Sequence, residues 1–142
     1  MHTTPFDPKH FHAMDIQPMQ AWIADVASGD YGAAMARGVS QTVWDGDRPI
    51  ACMGEVLLWP GNGEVWTVFA REIGTRMTYV LRSTRRLMAS VSTRRHHAYV
   101  EDGHAEGMRW MMKLGFHVEG RLVAHFPSGK DAFLFARVRE AT

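Results

Sequence analysis

Apolar positions along the chain recur at two spacings, roughly every second residue and roughly every third to fourth, and these divide it into strands and helices. Phe11 to Ile16 reads as a short first strand. Pro18 suits the first turn of a helix, Met19, Trp22, Ile23 and Val26 follow at helical spacing, and Ser28-Gly29 stops it. Asp30 caps a second short helix carrying Tyr31, Ala34 and Met35. Val39 to Trp44 and Ile50 to Trp59 read as paired strands around a tight Asp45-Gly46-Asp47 turn. After Pro60-Gly61-Asn62-Gly63, Glu64 to Phe69 (EVWTVF) is so nearly continuous in apolar residues that it reads as central and buried on both faces.

Met77, Val80, Leu81, Leu87, Met88 and Val91 define one apolar helix face from about Thr75 to Val91, with Arg82, Arg85 and Arg86 off it. His96 to Val100 is a short strand. Asp102 or His104 opens a helix through Met108, Met111 and Met112, which Gly115 ends. Phe116 to Phe126 is a long strand, Pro127-Ser128-Gly129-Lys130 a turn, and Ala132 to Val138 the last strand. Hairpins alternating with helical crossovers predict a mixed sheet with helices on its faces.

The 142 residues suit one domain, and 46% hydrophobic with 22% charged excludes a disordered or low-complexity chain. Five Trp, seven Phe and ten Met supply the core, and the methionines at helical spacing read as packing. Cys52 is the single cysteine, so no disulfide closes within the chain, which fits a cytoplasmic protein. No apolar run reaches membrane-span length, and the opening MHTTPFDPKH has no signal-peptide pattern, so no membrane association is expected.

The formal net charge of +1 hides a segregation. Residues 1–70 hold Lys9, Arg37 and Arg48 against eight acids, a net of −5. Residues 71–95 hold seven Arg against Glu72, a net of +6, and the remainder is balanced. Forked guanidinium donors suit a phosphate-bearing partner, while a solvated helix face with surface ion pairs explains the same arginines. The junction of the EVWTVF strand with the basic helix is a candidate anion site. Backbone N–H groups and the helix dipole point at the loop, Gly74 lies in it, and Arg71 and Arg76 flank it. A plain turn whose Gly relieves strain is the alternative.

The same residues carry a family resemblance. Arg71-Glu72-Ile73-Gly74-Thr75-Arg76 resembles the phosphate loop of the GNAT N-acetyltransferase superfamily, Gln/Arg-x-x-Gly-x-Gly/Ala, with Arg76 where a small residue is usual. His104 to Phe116 (HAEGMRWMMKLGF) resembles that family's Asn-x-x-Ala-x-x-x-Tyr-x-x-Leu-Gly-Phe helix. Leu114, Gly115 and Phe116 match, while His104, Gly107 and Met111 replace Asn, Ala and Tyr. The opening Pro5 to Gln20 and the ending Asp131 to Val138 resemble small acetyltransferase-like proteins of short-tailed phages, of the internal virion protein A type.

The resemblance implies an α+β, GNAT-like fold with a mixed, mostly antiparallel sheet of about six to seven strands and about four flanking helices. It implies acetyl-CoA as a substrate, its pantetheine held by backbone of Thr67, Val68 and Phe69 and its pyrophosphate wrapped by Arg71, Gly74, Thr75 and Arg76. An amine, on a small molecule or a protein, would attack the thioester directly in a ternary complex, with a backbone N–H near Val68 stabilising the oxyanion. Glu64 is the first candidate base, burial beside Trp66 raising its pKa, and an exposed turn-proximal Glu is the plainer reading. His104 is the second, against a simple helix-start role. Met111 cannot donate a proton, so Tyr99 or Tyr79 would stand in as acid.

His10-x-His12 and His96-His97 make no metal site by spacing, so no metal is expected. Trp44 and Trp59 read as cross-strand packing rather than a cleft. Two further functions compete with acetyl transfer. One is a catalytically weak or inactive GNAT-like phage protein, in the host cytoplasm or the virion, that assembles virions or binds a host protein. The other is nucleic-acid binding by the Arg-rich helix, ranked last because the rest of the chain is not basic.

Overall fold

The computed structural model describes residues 1–140. In chain order the elements are β1 (His2–Pro5), α1 (His10–Ala13), a 3-10 turn (Pro18–Gln20), α2 (Ile23–Val26), α3 (Asp30–Arg37), β2 (Ser40–Asp45), β3 (Arg48–Trp59) and β4 (Asn62–Phe69). A second 3-10 turn (Gly74–Arg76), α4 (Met77–Ala89), β5 (Arg95–Glu101), α5 (Ala105–Lys113), β6 (His117–Leu122) and β7 (Ala132–Val138) follow. Among the described residues seven strands form one sheet in the order β1-β2-β3-β4-β5-β7-β6. The β1–β2, β2–β3, β5–β7 and β6–β7 ladders are antiparallel, and β4–β5 is parallel. This is the mixed, mostly antiparallel α+β architecture expected, with five α-helices. No described helix is long and apolar enough to cross a membrane.

The chain clusters into two compact units. The first comprises Met1–Val56 and Trp66–Val91. Its core gathers Phe6, Phe11, Met14, Ile16, Ile23, Met35, Cys52, Trp66 and Val68. The rings of Phe6, Phe11 and Trp66 meet tilted or edge-on within it, with Phe6 4.9 Å from Trp66 and 5.0 Å from Phe11. Trp44 packs on His10 at 4.9 Å and donates to Thr4 Oγ1 at 2.8 Å, the packing role expected of it. The second unit comprises Leu57–Val65 and the chain from Ser92 onward. It buries Trp110, Met111, Leu114 and Phe116 of α5 and its following turn, and Phe135 of β7. Trp59 does not pack as expected. It is 61% exposed at the β3–β4 tip, beside a cavity of about 370 Å³ lined by Leu57, Pro60, Gly61, Ser92 and Thr93.

Most elements fall within two residues of the sequence expectation, and three larger departures each have a local reason. Phe11 lies in a helix rather than a strand. The Asp7 carboxylate accepts the Lys9 N–H at 2.8 Å and its carbonyl accepts the His10 N–H at 2.8 Å, so Asp7-Pro8 starts a helical turn. The first strand is instead His2–Pro5, and Ile16 keeps a single antiparallel bridge to Ala70. The helix expected from Pro18 splits, because Ala21 N–H closes a 3-10 turn on Pro18 O before α2 begins. The strand expected to reach Phe126 ends at Leu122. There Ala124 takes a left-handed φ of 53° and gives its N–H to Asp131 Oδ1, a carboxylate that Arg121 also holds.

Gly38 is required by close approach rather than by conformation. Its backbone is ordinary, but an added Cβ would lie 1.8 Å from the Glu55 carbonyl oxygen. Gly38→Ala is therefore expected to cost about 1–3 kcal/mol, read as a lower urea midpoint, and an unchanged midpoint would contradict this packing.

Candidate functional site

β4 is central because both its faces are apolar: Val65, Trp66, Val68 and Phe69 are all buried. Alternation along the strand then sets which way its backbone groups point. Ala70 N–H bonds the Ile50 carbonyl of β3 at 2.9 Å, so even-numbered residues here face β3 and odd-numbered ones face the opposite edge. The ladder on that opposite edge is short, pairing Asn62–Glu64 with Arg95–His97.

Beyond it, the N-terminal segment supplies partners for the edge. Gln20 Nε2 donates to Thr67 O at 2.7 Å, and Phe69 N–H donates to Gln20 Oε1 at 3.0 Å. Gln17 N–H donates to Phe69 O at 3.0 Å, and Arg71 N–H donates to Asp15 O at 2.7 Å. Gln17 Nε2 holds the same Gln20 oxygen at 2.7 Å, which fixes the amide's orientation. The Gln20 carboxamide thus brackets Val68 as one residue of a parallel neighbouring strand would. Next to Val68, the backbone donor that faces this edge is Phe69 N–H, while the N–H of Val68 itself faces β3.

The following loop has the expected form and unexpected partners. Gly74 takes a φ of +51°, which favours glycine, and no described side chain caps the turn or α4 behind it. The two arginines assigned to phosphate are engaged with acids. Arg71 Nε lies 3.6 Å from Asp15 Oδ2, and Arg76 Nε bonds Asp45 Oδ2 while its Nη1 reaches the Glu72 carbonyl. The Arg76 guanidinium holds the Asp45 carboxyl below its usual range. These pairs are partly exposed, so each contributes little to stability and can exchange for another anion.

The second unit holds the proton-transfer candidates. Glu64 pairs with His97 across the parallel ladder, and Tyr99 lies two residues further along β5. Burial holds the Glu64 carboxyl above the usual carboxylate range. Tyr99 is pushed up as well, by burial and then by the Glu64 charge, so it keeps its proton at neutral pH. Its ring stacks on His125 at 4.6 Å and meets His97 edge-on at 5.6 Å. Tyr99 thus lies within the field of the Glu64 carboxylate.

His104 stands apart from that pair, preceding α5, with Glu106 and Glu101 as its charged neighbours. It is buried, its Nε2 meets no partner, and burial lowers its pKa, so the ring is neutral. Gly107 is small because the imidazole lies over it: an added Cβ would be 2.8 Å from Nδ1. Met111 is buried in α5 and offers no proton. Tyr79, the other substitute considered, spends its hydroxyl on Met1 O at 3.4 Å. Among the described residues no group of three or more His, Cys, Asp or Glu side chains is placed to hold a metal ion.

No protein-family model matches the chain, and no curated protein matches it in sequence. Its structure is nonetheless similar to solved acetyltransferases. A GNAT-family acetyltransferase from Bacillus anthracis superposes with a TM-score of 0.68 at 13% identity, over 96% of this chain and 93% of that one. The fold is that of the GNAT acetyltransferases. An IAA acetyltransferase from Bacillus cereus gives 0.68 at 12% identity, over 97% and 99% of the two chains. A spermidine N-acetyltransferase SpeG chimera from Vibrio cholerae and hSSAT gives 0.66 at 13%, over 97% and 96%.

Sequence reading missed Gln17 and Gln20. They lie 47 to 52 residues before the backbone groups they bind, and a Gln-Pro-Met-Gln run gives no sign of it. His97 stood out in the sequence only as half of the His96-His97 pair and His125 not at all, yet both frame Tyr99.

The raised Glu64 pKa has a stability consequence. Folding favours the protonated carboxyl, so the contribution is full below the ordinary Glu range and is lost as pH rises through the raised value. Glu64→Gln is expected to raise the thermal midpoint at about pH 7 and leave it unchanged at about pH 3. A lower midpoint at neutral pH would contradict the burial argument.

Proposed function

We propose that the chain is one GNAT-like domain that acts as an N-acyltransferase, moving the acetyl group of acetyl-CoA directly to an amine. The observation that carries this reading is the outward edge of β4. There Thr67 O and Phe69 N–H form an acceptor and donor pair that already holds an amide, that of Gln20. Pantetheine is an arm with two amides, and such an edge reads it without side-chain specificity. The turn at Gly74–Arg76 has no side-chain cap and offers the pyrophosphate a helix start flanked by Arg71 and Arg76, with the Arg76 and Met77 N–H groups spent on Ile73 O and Gly74 O and the donors left to Gly74 and Thr75.

In the proposed reaction the amine nitrogen bonds the thioester carbonyl carbon, and collapse of the tetrahedral adduct breaks the C–S bond. Glu64 takes the proton that the attacking ammonium must lose, a role its raised pKa suits. Tyr99, protonated at neutral pH, gives a proton to the leaving thiolate in the role the buried Met111 cannot fill. Neutral His104 is the second candidate for base. The acceptor is an amine on a small molecule or protein, and the setting is cytoplasmic.

A second reading is a non-catalytic GNAT-like protein of phage origin, working in virion assembly or on a host protein. Three observations favour it: Gln20 occupies the β4 edge, Arg71 and Arg76 are paired with acids, and Met111 replaces a tyrosine.

Acetyl-CoA at a hundredfold excess over its Kd is expected to stabilise the protein by about 2.7 kcal/mol, seen as a rise in Tm. Arg71→Glu combined with Arg76→Glu removes that rise. Glu64→Gln keeps it but lowers kcat for thiol release by about 10²–10⁴-fold. No rise in Tm rejects the coenzyme reading, while a rise without thiol release with any amine favours the non-catalytic one.

A further inference from the structure

We propose that Gln20 is a latch on the β4 edge: its carboxamide is an internal stand-in for the amide of a ligand, and an amide-bearing ligand binds by displacing it. The proposal rests on the acetyl-CoA reading for the identity of that ligand, the pantetheine arm. Four features support it. The carboxamide makes both bonds that one residue of a parallel strand would make around Val68, donating to Thr67 O at 2.7 Å and accepting from Phe69 N–H at 3.0 Å. Its orientation is set by Gln17, whose own amide donates to the Gln20 oxygen at 2.7 Å. The latch sits on a 3-10 turn of only three residues, Pro18–Gln20. Gln20 is only half-buried, so its side chain can swing to water without opening the core.

The neighbouring contacts differ in kind. Gln17 N–H to Phe69 O and Arg71 N–H to Asp15 O are main-chain bonds that flank the Ile16–Ala70 bridge. Releasing them would mean moving the chain, whereas releasing Gln20 takes side-chain rotation alone. The latch therefore covers Thr67 O and Phe69 N–H and leaves the bridge in place. In the closed form these groups are satisfied, which removes the cost of leaving buried backbone unpaired when no ligand is present. The trade is a weaker apparent affinity, because a ligand must compete with an internal group.

The test is isothermal titration of CoA into the whole protein, its Gln20→Ala variant and its Gln20→Glu variant. The glutamate variant is isosteric. It keeps the acceptor for Phe69 N–H but sets a carboxylate against the Thr67 carbonyl, so it opens the latch without removing bulk. Both variants are expected to bind CoA more tightly, Gln20→Ala by about tenfold, the scale of one to two net neutral hydrogen bonds. Hydrogen exchange at the Phe69 amide should quicken in Gln20→Ala and slow again with CoA bound. Equal or weaker CoA binding by both variants overturns the latch while leaving the coenzyme reading intact. Unchanged Phe69 exchange in Gln20→Ala overturns it too. Failure of all three proteins to bind CoA overturns the coenzyme reading and the proposal with it.

Discussion

The backbone of a central strand has two edges to satisfy, and β4 has a parallel partner on one of them only at Asn62–Glu64. A buried N–H or C=O without a partner costs about 1–3 kcal/mol, so the remaining outward groups of β4 dictate where the N-terminal segment lies. Asp15, Gln17 and Gln20 answer that demand in order, against Arg71, Phe69 and Thr67. The Ile16–Ala70 bridge, the 3-10 turn at Pro18 and the burial of Ile16 and Met14 fit around the same line of bonds. One length of strand edge thus organises the first unit and also presents the groups a coenzyme arm would read.

Electrostatics follows a similar economy. The chain separates an acidic stretch from an arginine-rich one in sequence, and the fold rejoins members of the two as Arg71–Asp15 and Arg76–Asp45. The segregation is therefore partly an intramolecular pairing rather than a free basic patch. Such exposed pairs are weakly held, which keeps the arginines exchangeable for a phosphate. In the second unit the logic is burial. Glu64 and Tyr99 are both driven toward their protonated forms by desolvation, and the Glu64 charge pushes Tyr99 further the same way. A carboxyl and a phenol that both hold protons more tightly than usual suit a reaction that moves one proton off an amine and another onto sulfur.

The sequence by itself determined the order of hairpins and crossovers, the centrality of EVWTVF, the extent of Ala132–Val138 and the left-handed turn at Gly115, because periodicity, apolar runs and glycine stops are local signals. It also singled out Glu64 as the carboxylate whose burial would matter, from its place at the start of that apolar run. What only the tertiary structure decided were partnerships across long spans of chain. These are the Gln20 amide on Thr67 and Phe69, the acids on Arg71 and Arg76, and the juxtaposition of Tyr99 with Glu64 and His125. No local pattern encodes them, because each is a choice among many hydrogen-bonding or charged groups, and that choice is made only when the strands set their register.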